Sequence, residues 1–129
     1  MATLTREALV TGVIECISES LAKDQATITE KTLLISELGA DSLDIMDIMF
    51  HLEEKFSINL QKEDFNFLKR LNLSDEEGIK EGLLTPVAKS KLKEWLPSLD
   101  EQKELRPADL GQYLSVASIV RMLETQQNA

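Results

Sequence analysis

The sequence predicts an all-α protein, and three observations lead to that fold class. β-branched residues do not alternate with polar ones over any extended run, so the strand pattern is missing. Apolar residues instead recur at the three-to-four spacing of a helix in several windows. Those windows open on residues that cap helices, among them Thr5, Asp41, Ser74, Thr85 and Ser115. A chain of 129 residues can bury one core and falls short of two, so a single domain over 1–129 is expected.

Taken in order, Thr5 caps a first helix that runs to about Leu21, with Leu9, Val13, Ile17 and Leu21 along one face. Cys16 lies among these apolar residues and reads as a small core residue rather than a reactive thiol. A long loop follows, in which Ile28, Leu33, Leu34 and Leu38 are irregularly spaced and look like anchors onto the helices. The second helix starts at Asp41–Ser42 and reaches about Phe56. Asp41 serves as N-cap, and Asp44 stands three residues on to complete a box.

Asp64 to Leu73 forms a third helix or its beginning, and Ser74–Asp75–Glu76–Glu77 is another helix start. Thr85–Pro86 opens a further helix, expected to end near Leu96 because Pro97 cannot continue it. Ala88, Leu92, Trp95 and Leu96 share a face of that helix, opposite Lys89 and Lys93. Arg106–Pro107 marks a turn. Ser115 then caps a last helix with Val116, Ile119, Val120 and Leu123 as its apolar stripe.

The formal charge is −9, and its placement says more than its size. Residues 1–60 hold 11 acids against 4 bases, whereas 61–113 hold 11 against 9, and the remainder is neutral. An acidic field of this kind repels nucleic acid and anionic membrane and favours basic protein partners, although solubility alone is a second reading. One cysteine excludes an internal disulfide and a zinc cluster. No stretch approaches a membrane span and no signal sequence is evident, so a cytoplasmic location is expected.

The more acidic half of the chain contains Leu38–Gly39–Ala40–Asp41–Ser42–Leu43–Asp44, followed by Leu52–Glu53–Glu54–Lys55–Phe56–Ser57–Ile58. This extended string, a serine after a glycine turn at the head of an acidic amphipathic helix, resembles the attachment site of the acyl carrier proteins. The resemblance implies an all-α, four-helix acyl-carrier-type bundle with core helices within 5–60 and 114–125. It makes about 61–113 a helical insertion before the last helix, longer than the family's usual connection. It also implies that Ser42 carries 4'-phosphopantetheine, transferred from coenzyme A by a phosphopantetheinyl transferase. Such a protein is not an enzyme; it holds acyl chains as thioesters for fatty-acid or specialised lipid biosynthesis. The length of the insertion points to a dedicated carrier, such as those serving long-chain acyl groups of lipid A. His51, where the family usually has a small residue, and the bulk of Phe50 are further departures.

At 100° per residue, Ile45, Ile48, Met49, Leu52 and Phe56 face the core. Leu43, Asp47, Phe50 and Glu54 fall opposite, either as a docking face or beneath the insertion. Met46 and Glu53 flank the core stripe and suit either role. The resemblance assigns Asp41, Leu43, Asp44, Met46, Asp47, Glu53 and Glu54 to recognition of partners, acyl-handling enzymes with basic docking patches, and the shared helix face adds Phe50 to them. It makes Phe65, Phe67, Leu68, Trp95 and Tyr113 candidates for an enlarged acyl pocket or an extra docking face, with plain core packing as the alternative. A monomer is expected.

Other chemistry fits badly. Ser42 as a nucleophile would need a base, and His51, roughly 13 Å further along the helix and on nearly the opposite side, cannot serve. Asp41, Asp44 and Asp47 are spaced by three rather than by the twos of a calcium loop, so no metal site is expected. A plain helix cap is the rival reading of Ser42 alone. For the whole chain the rivals are a peptidyl carrier and an unmodified helical interaction protein on the same scaffold.

Overall fold

In a computed structural model, residues 4–127 are described. Three long helices carry the bundle: α1 (Arg6–Leu21), α2 (Ser42–Phe56) and α6 (Val116–Gln127). Helix α1 is central and packs against both α2 and α6. Its Leu9, Val13, Cys16 and Ile17 are fully or almost fully buried. They meet Ile48 and Leu52 of α2 and Ile119, Val120 and Leu123 of α6 in one apolar core. The predicted stripes therefore face inward, with Ile45 and Phe56 half-buried at the margins of the α2 stripe. Gly12 marks the close approach of α1 and α2: a Cβ there would stand 2.5 Å from Phe56 Cζ.

Each long helix starts as its capping residue predicts. The Thr5 hydroxyl accepts from Ala8 N at 3.1 Å. Ser115 and Ser118 bond reciprocally, with Ser115 N donating to Ser118 Oγ at 3.1 Å and Ser118 N to Ser115 Oγ at 3.3 Å. The loop between α1 and α2 is ordered by its apolar anchors, Ile28 and Leu34 being buried. It is also bonded to the start of α6: Leu34 N donates to Leu114 O at 3.0 Å and Ala117 N to Glu30 O at 2.9 Å. These bonds satisfy backbone groups that a long loop would otherwise leave unpaired.

The insertion is folded, and it differs from expectation in three places. The helix expected over Asp64 to Leu73 divides into a 3₁₀ turn, Lys62–Phe65, and the single-turn α3 (Phe67–Arg70). Asn66 interrupts it by capping α3, its side chain accepting from Lys69 N at 3.2 Å, and Asn72 stops it in the left-handed region at φ 53°. After α4 (Asp75–Gly78) comes a short antiparallel hairpin, β1 (Ile79–Lys80) with β2 (Leu83–Leu84). Its two turn residues, Glu81 and Gly82, both have positive φ, the requirement of the tightest hairpin turn. Strands of two residues cannot display an alternating pattern, which is why the sequence concealed them.

Helix α5 (Pro86–Leu92) begins at Thr85 as expected and stops one turn early. Lys93 to Trp95 continue as turns before Pro97, and Trp95 and Leu96 are still buried. The turn at Arg106–Pro107 develops into a 3₁₀ segment, Pro107–Tyr113, leading into α6.

Trp95 joins the insertion to the bundle. Its ring lies 5.9 Å from that of Phe67, and the guanidinium groups of Arg70 and Arg121 stand 4.9 and 5.4 Å from its centroid. Arg121 belongs to α6 and also pairs with Glu94, while Arg70 pairs with Asp64.

Candidate functional site

The site gathers at the N-terminus of α2. Gly39 turns the chain at φ 72°, a conformation that a side chain disfavours, and places Asp41 ahead of the helix. Asp41 accepts from Asp44 N at 2.9 Å, and Asp44 returns the contact by accepting from Asp41 N at 3.0 Å. This box does the capping. Ser42 is the first helical residue, exposed, with its hydroxyl outside the cap. The reading of Ser42 as a plain helix cap is thereby corrected, because Asp41 occupies that position.

Beside Ser42 opens a cavity of about 660 Å³. Its walls come from the first loop (Ile35, Ala40), from α2 (Ile45, Met46, Met49), from the insertion (Phe65, Asn66, Phe67) and from the segment before α6 (Pro107, Leu110, Gly111, Leu114). Asp41, Ser42 and Asn66 are its polar side chains. Ala40, Met49, Phe67 and Leu114 are buried and form the floor, while Ile35, Asp41, Ser42 and Met46 are exposed at the rim.

Of the five aromatic and aliphatic candidates in the insertion, Phe65 and Phe67 thus reach this cavity. Leu68 lines a second cleft with Lys69, Asn72 and Ile79. Trp95 packs behind Phe67 and Tyr113 is half-buried against the core, so neither lines the cavity. For these two, core packing is the correct description. Ile35, Pro107 and Leu110 were not legible as cavity residues. A 3₁₀ segment distant in sequence brings the last two there, and no periodic pattern announces such a segment.

Along α2, Leu43 is 73 % exposed, Phe50 60 % and Met46 42 %. The insertion does not cover them. Asp47 and Glu54 are exposed on the same outer side. The acids are partly engaged within the chain: Asp47 accepts from Ser20 Oγ at 2.6 Å and lies 3.4 Å from His51 Nε2. Glu53 is half-buried and accepts from Leu60 N at 3.0 Å, so it holds the loop after α2 rather than projecting to a partner. His51 also lies 3.6 Å from Glu19, bridging α1 and α2. Among the described residues no group of three or more His, Cys, Asp or Glu side chains could hold a metal ion, and no helix is long and apolar enough to cross a membrane.

Residues 11–72 match the family model described as a phosphopantetheine attachment site. The acyl carrier protein of an Exiguobacterium species is 39 % identical over 61 residues, 47 % of this chain and 77 % of its own. That of Exiguobacterium sibiricum is 38 % identical over 66 residues, covering 51 % of this chain and 84 % of its own, and that of Thermotoga maritima is 38 % identical over 60 residues, 46 % and 74 %. The chain belongs to the acyl carrier protein family. No solved structure matches it.

An acyl carrier protein is a carrier rather than an enzyme, and its prosthetic group is a covalently bound 4'-phosphopantetheine. The chemistry of the site fits that group. A phosphodiester requires an accessible hydroxyl, which Ser42 supplies, and the free N–H groups at the head of α2 suit a phosphate. The matched relatives align with about half of this carrier and with about three quarters or more of their own length.

Proposed function

We propose that Ser42 carries the 4'-phosphopantetheine arm and that the cavity beside it shelters an acyl chain. The observation that carries this reading is the pairing of an exposed hydroxyl, left out of its helix cap, with an apolar cavity at the same helix end. When bound, the arm's terminal thiol holds the acyl group as a thioester and swings it between enzymes at high effective concentration. The protein's own residues supply the rest. Asp41 and Asp44 preset the helix end, Met46 and Ile45 form the near wall, and Phe65 and Phe67 extend the cavity into the insertion.

The exposed Leu43, Met46 and Phe50, flanked by Asp47 and Glu54, make the docking face for a phosphopantetheinyl transferase and for acyl-handling enzymes with basic patches. Asp41 and Asp44 add charge at its upper end. Apolar anchors contribute the binding energy and acids orient the basic partner. The apolar floor favours fatty acyl chains over aminoacyl groups, and so an acyl carrier of fatty-acid or specialised lipid synthesis over a peptidyl carrier. A dedicated role, such as long-chain acyl delivery for lipid A, rests on the insertion that helps to build the cavity. Since that insertion shares a core with the bundle, we read the chain as one carrier domain.

Intact-protein mass after incubation with coenzyme A, magnesium and a promiscuous phosphopantetheinyl transferase tests the assignment. The wild type should gain one phosphopantetheine, and Ser42→Ala should gain none. A wild type left unmodified under conditions that modify a control carrier would favour an unmodified interaction protein.

A further inference from the structure

The cavity does not end against the bundle alone. Of its buried floor residues, Phe67 is the largest and belongs to the insertion. Its ring backs directly onto Trp95, which lies outside the cavity. Trp95 is in turn contacted by the guanidinium groups of Arg70 and Arg121, each paired with an acidic partner. A ring supported in this way resists displacement, because moving it would break an aromatic contact and disturb two cation–π contacts behind it. The neighbouring cavity residues Phe65 and Ile45 are only half-buried, at the margin of the core.

The floor also offers nothing to a polar group. Its side chains are those of Ala40, Met49, Phe67 and Leu114, and among the described residues no buried side-chain nitrogen or oxygen lacks a partner. A hydroxyl or amino substituent reaching the floor would therefore lose water and find no side chain waiting for it.

Given a chain tethered at Ser42, we propose that Phe67, braced by Trp95, is the stop that sets the depth of the cavity and thereby selects acyl chains by length. The class taken is the saturated acyl chain without polar substituents in its distal part. Within the limit each added methylene is buried; beyond it the chain end returns to solvent. Phe67→Ala removes the stop and extends the cavity toward Trp95.

The test loads the full chain from a graded series of saturated acyl coenzymes A, and from hydroxylated counterparts, using a promiscuous transferase. Mass spectrometry verifies loading, while the thermal midpoint and the rate of thioester cleavage by hydroxylamine are read. For wild type, protection should rise with chain length and then level off. For Phe67→Ala the plateau should move to longer chains, whose thioesters should be cleaved on the order of tenfold more slowly than in wild type, the effect of burying about two further methylenes. Phe67→Leu should fall between the two, and circular dichroism of the unloaded variants establishes that they fold.

A plateau at the same length in wild type and Phe67→Ala, or equal protection of hydroxylated and plain chains, would overturn the proposal. A second arm removes its dependence on the transferase: the thiol of Ser42→Cys forms mixed disulfides with n-alkyl methanethiosulfonates of graded length, releasing methanesulfinate, and the thermal midpoint is read, Cys16 being buried. The same shift of the plateau with Phe67→Ala is expected there. Failure of loading with success of this arm would overturn the attachment reading and leave the depth stop standing.

Discussion

At the scale of single residues, Cys16 shows how position decides chemistry. It is fully buried on the inner face of α1, and burial pushes its thiol up from 9.0 to about 11. The thiolate is the form that burial penalises. Between pH 9.0 and about 11 the unfolded thiol releases its proton while the native one keeps it, so the native state binds more protons and stability falls with rising pH. Below pH 9.0 both states are protonated and the effect vanishes. Lys55, raised by its hydrogen bond to Glu15, contributes a loss at higher pH as it deprotonates. Urea titrations from pH 8 to 11 should therefore show declining stability, and Cys16→Ala should have a shallower decline from a lower starting value. An unchanged slope would assign the loss to Lys55. The same burial explains why the sequence could name Cys16 as a core residue: it shares a stretch of the helix with the apolar Leu9, Val13 and Ile17.

Residue-scale capping is equally direct. Asp41 and Asp44 were recognisable as a box from their spacing alone, since the bonds they make span only three residues. Asp41→Ala should cost about 1 kcal/mol in equilibrium unfolding. Glu53 is the counter-example. It sits on the acidic helix like its neighbours, yet its partner, Leu60 N, comes from beyond the helix end, where the chain's path is set by packing.

Among the elements, α2 carries the division of labour. Its inner stripe followed from a 100° step because a long helix repeats the same geometry at every turn. Whether Leu43 and Phe50 lay open or beneath the insertion was undecidable from that step, because the covering element is remote in sequence. They are open. Phe50→Ala and Leu43→Ala should accordingly leave the unfolding free energy within about 0.5 kcal/mol of wild type. Both should slow transfer of phosphopantetheine, read as kcat/KM for the carrier. A stability loss of several times that size would mean that these side chains pack within the protein. The short elements of the insertion were least legible: α3 and the hairpin are shorter than the periods by which helices and strands are recognised.

Across the whole molecule, Trp95 connects parts that sequence keeps apart. Arg121 on α6 and Arg70 on α3 meet over one ring, so the insertion and the bundle share a joint. Arg121→Ala should weaken it by about 1 kcal/mol. The expected signature is a red shift of the single tryptophan's emission and faster proteolysis within 61–113, with helical circular dichroism retained. Arg121→Lys keeps the charge and loses the planar stacking, and should recover only part of the effect. Unchanged emission in Arg121→Ala would remove the joint.

The family, the three long helices, their caps and the serine at the head of α2 were all written locally. Each depends on residues within a turn or two of one another, where spacing and side-chain chemistry suffice. The cavity was not. Its floor brings Ala40, Met49, Phe67 and Leu114 together from four separate segments, and its backing adds Trp95 and Arg121. Only close packing of remote elements can choose such neighbours, because burial rewards any apolar contact and geometry alone selects which are made.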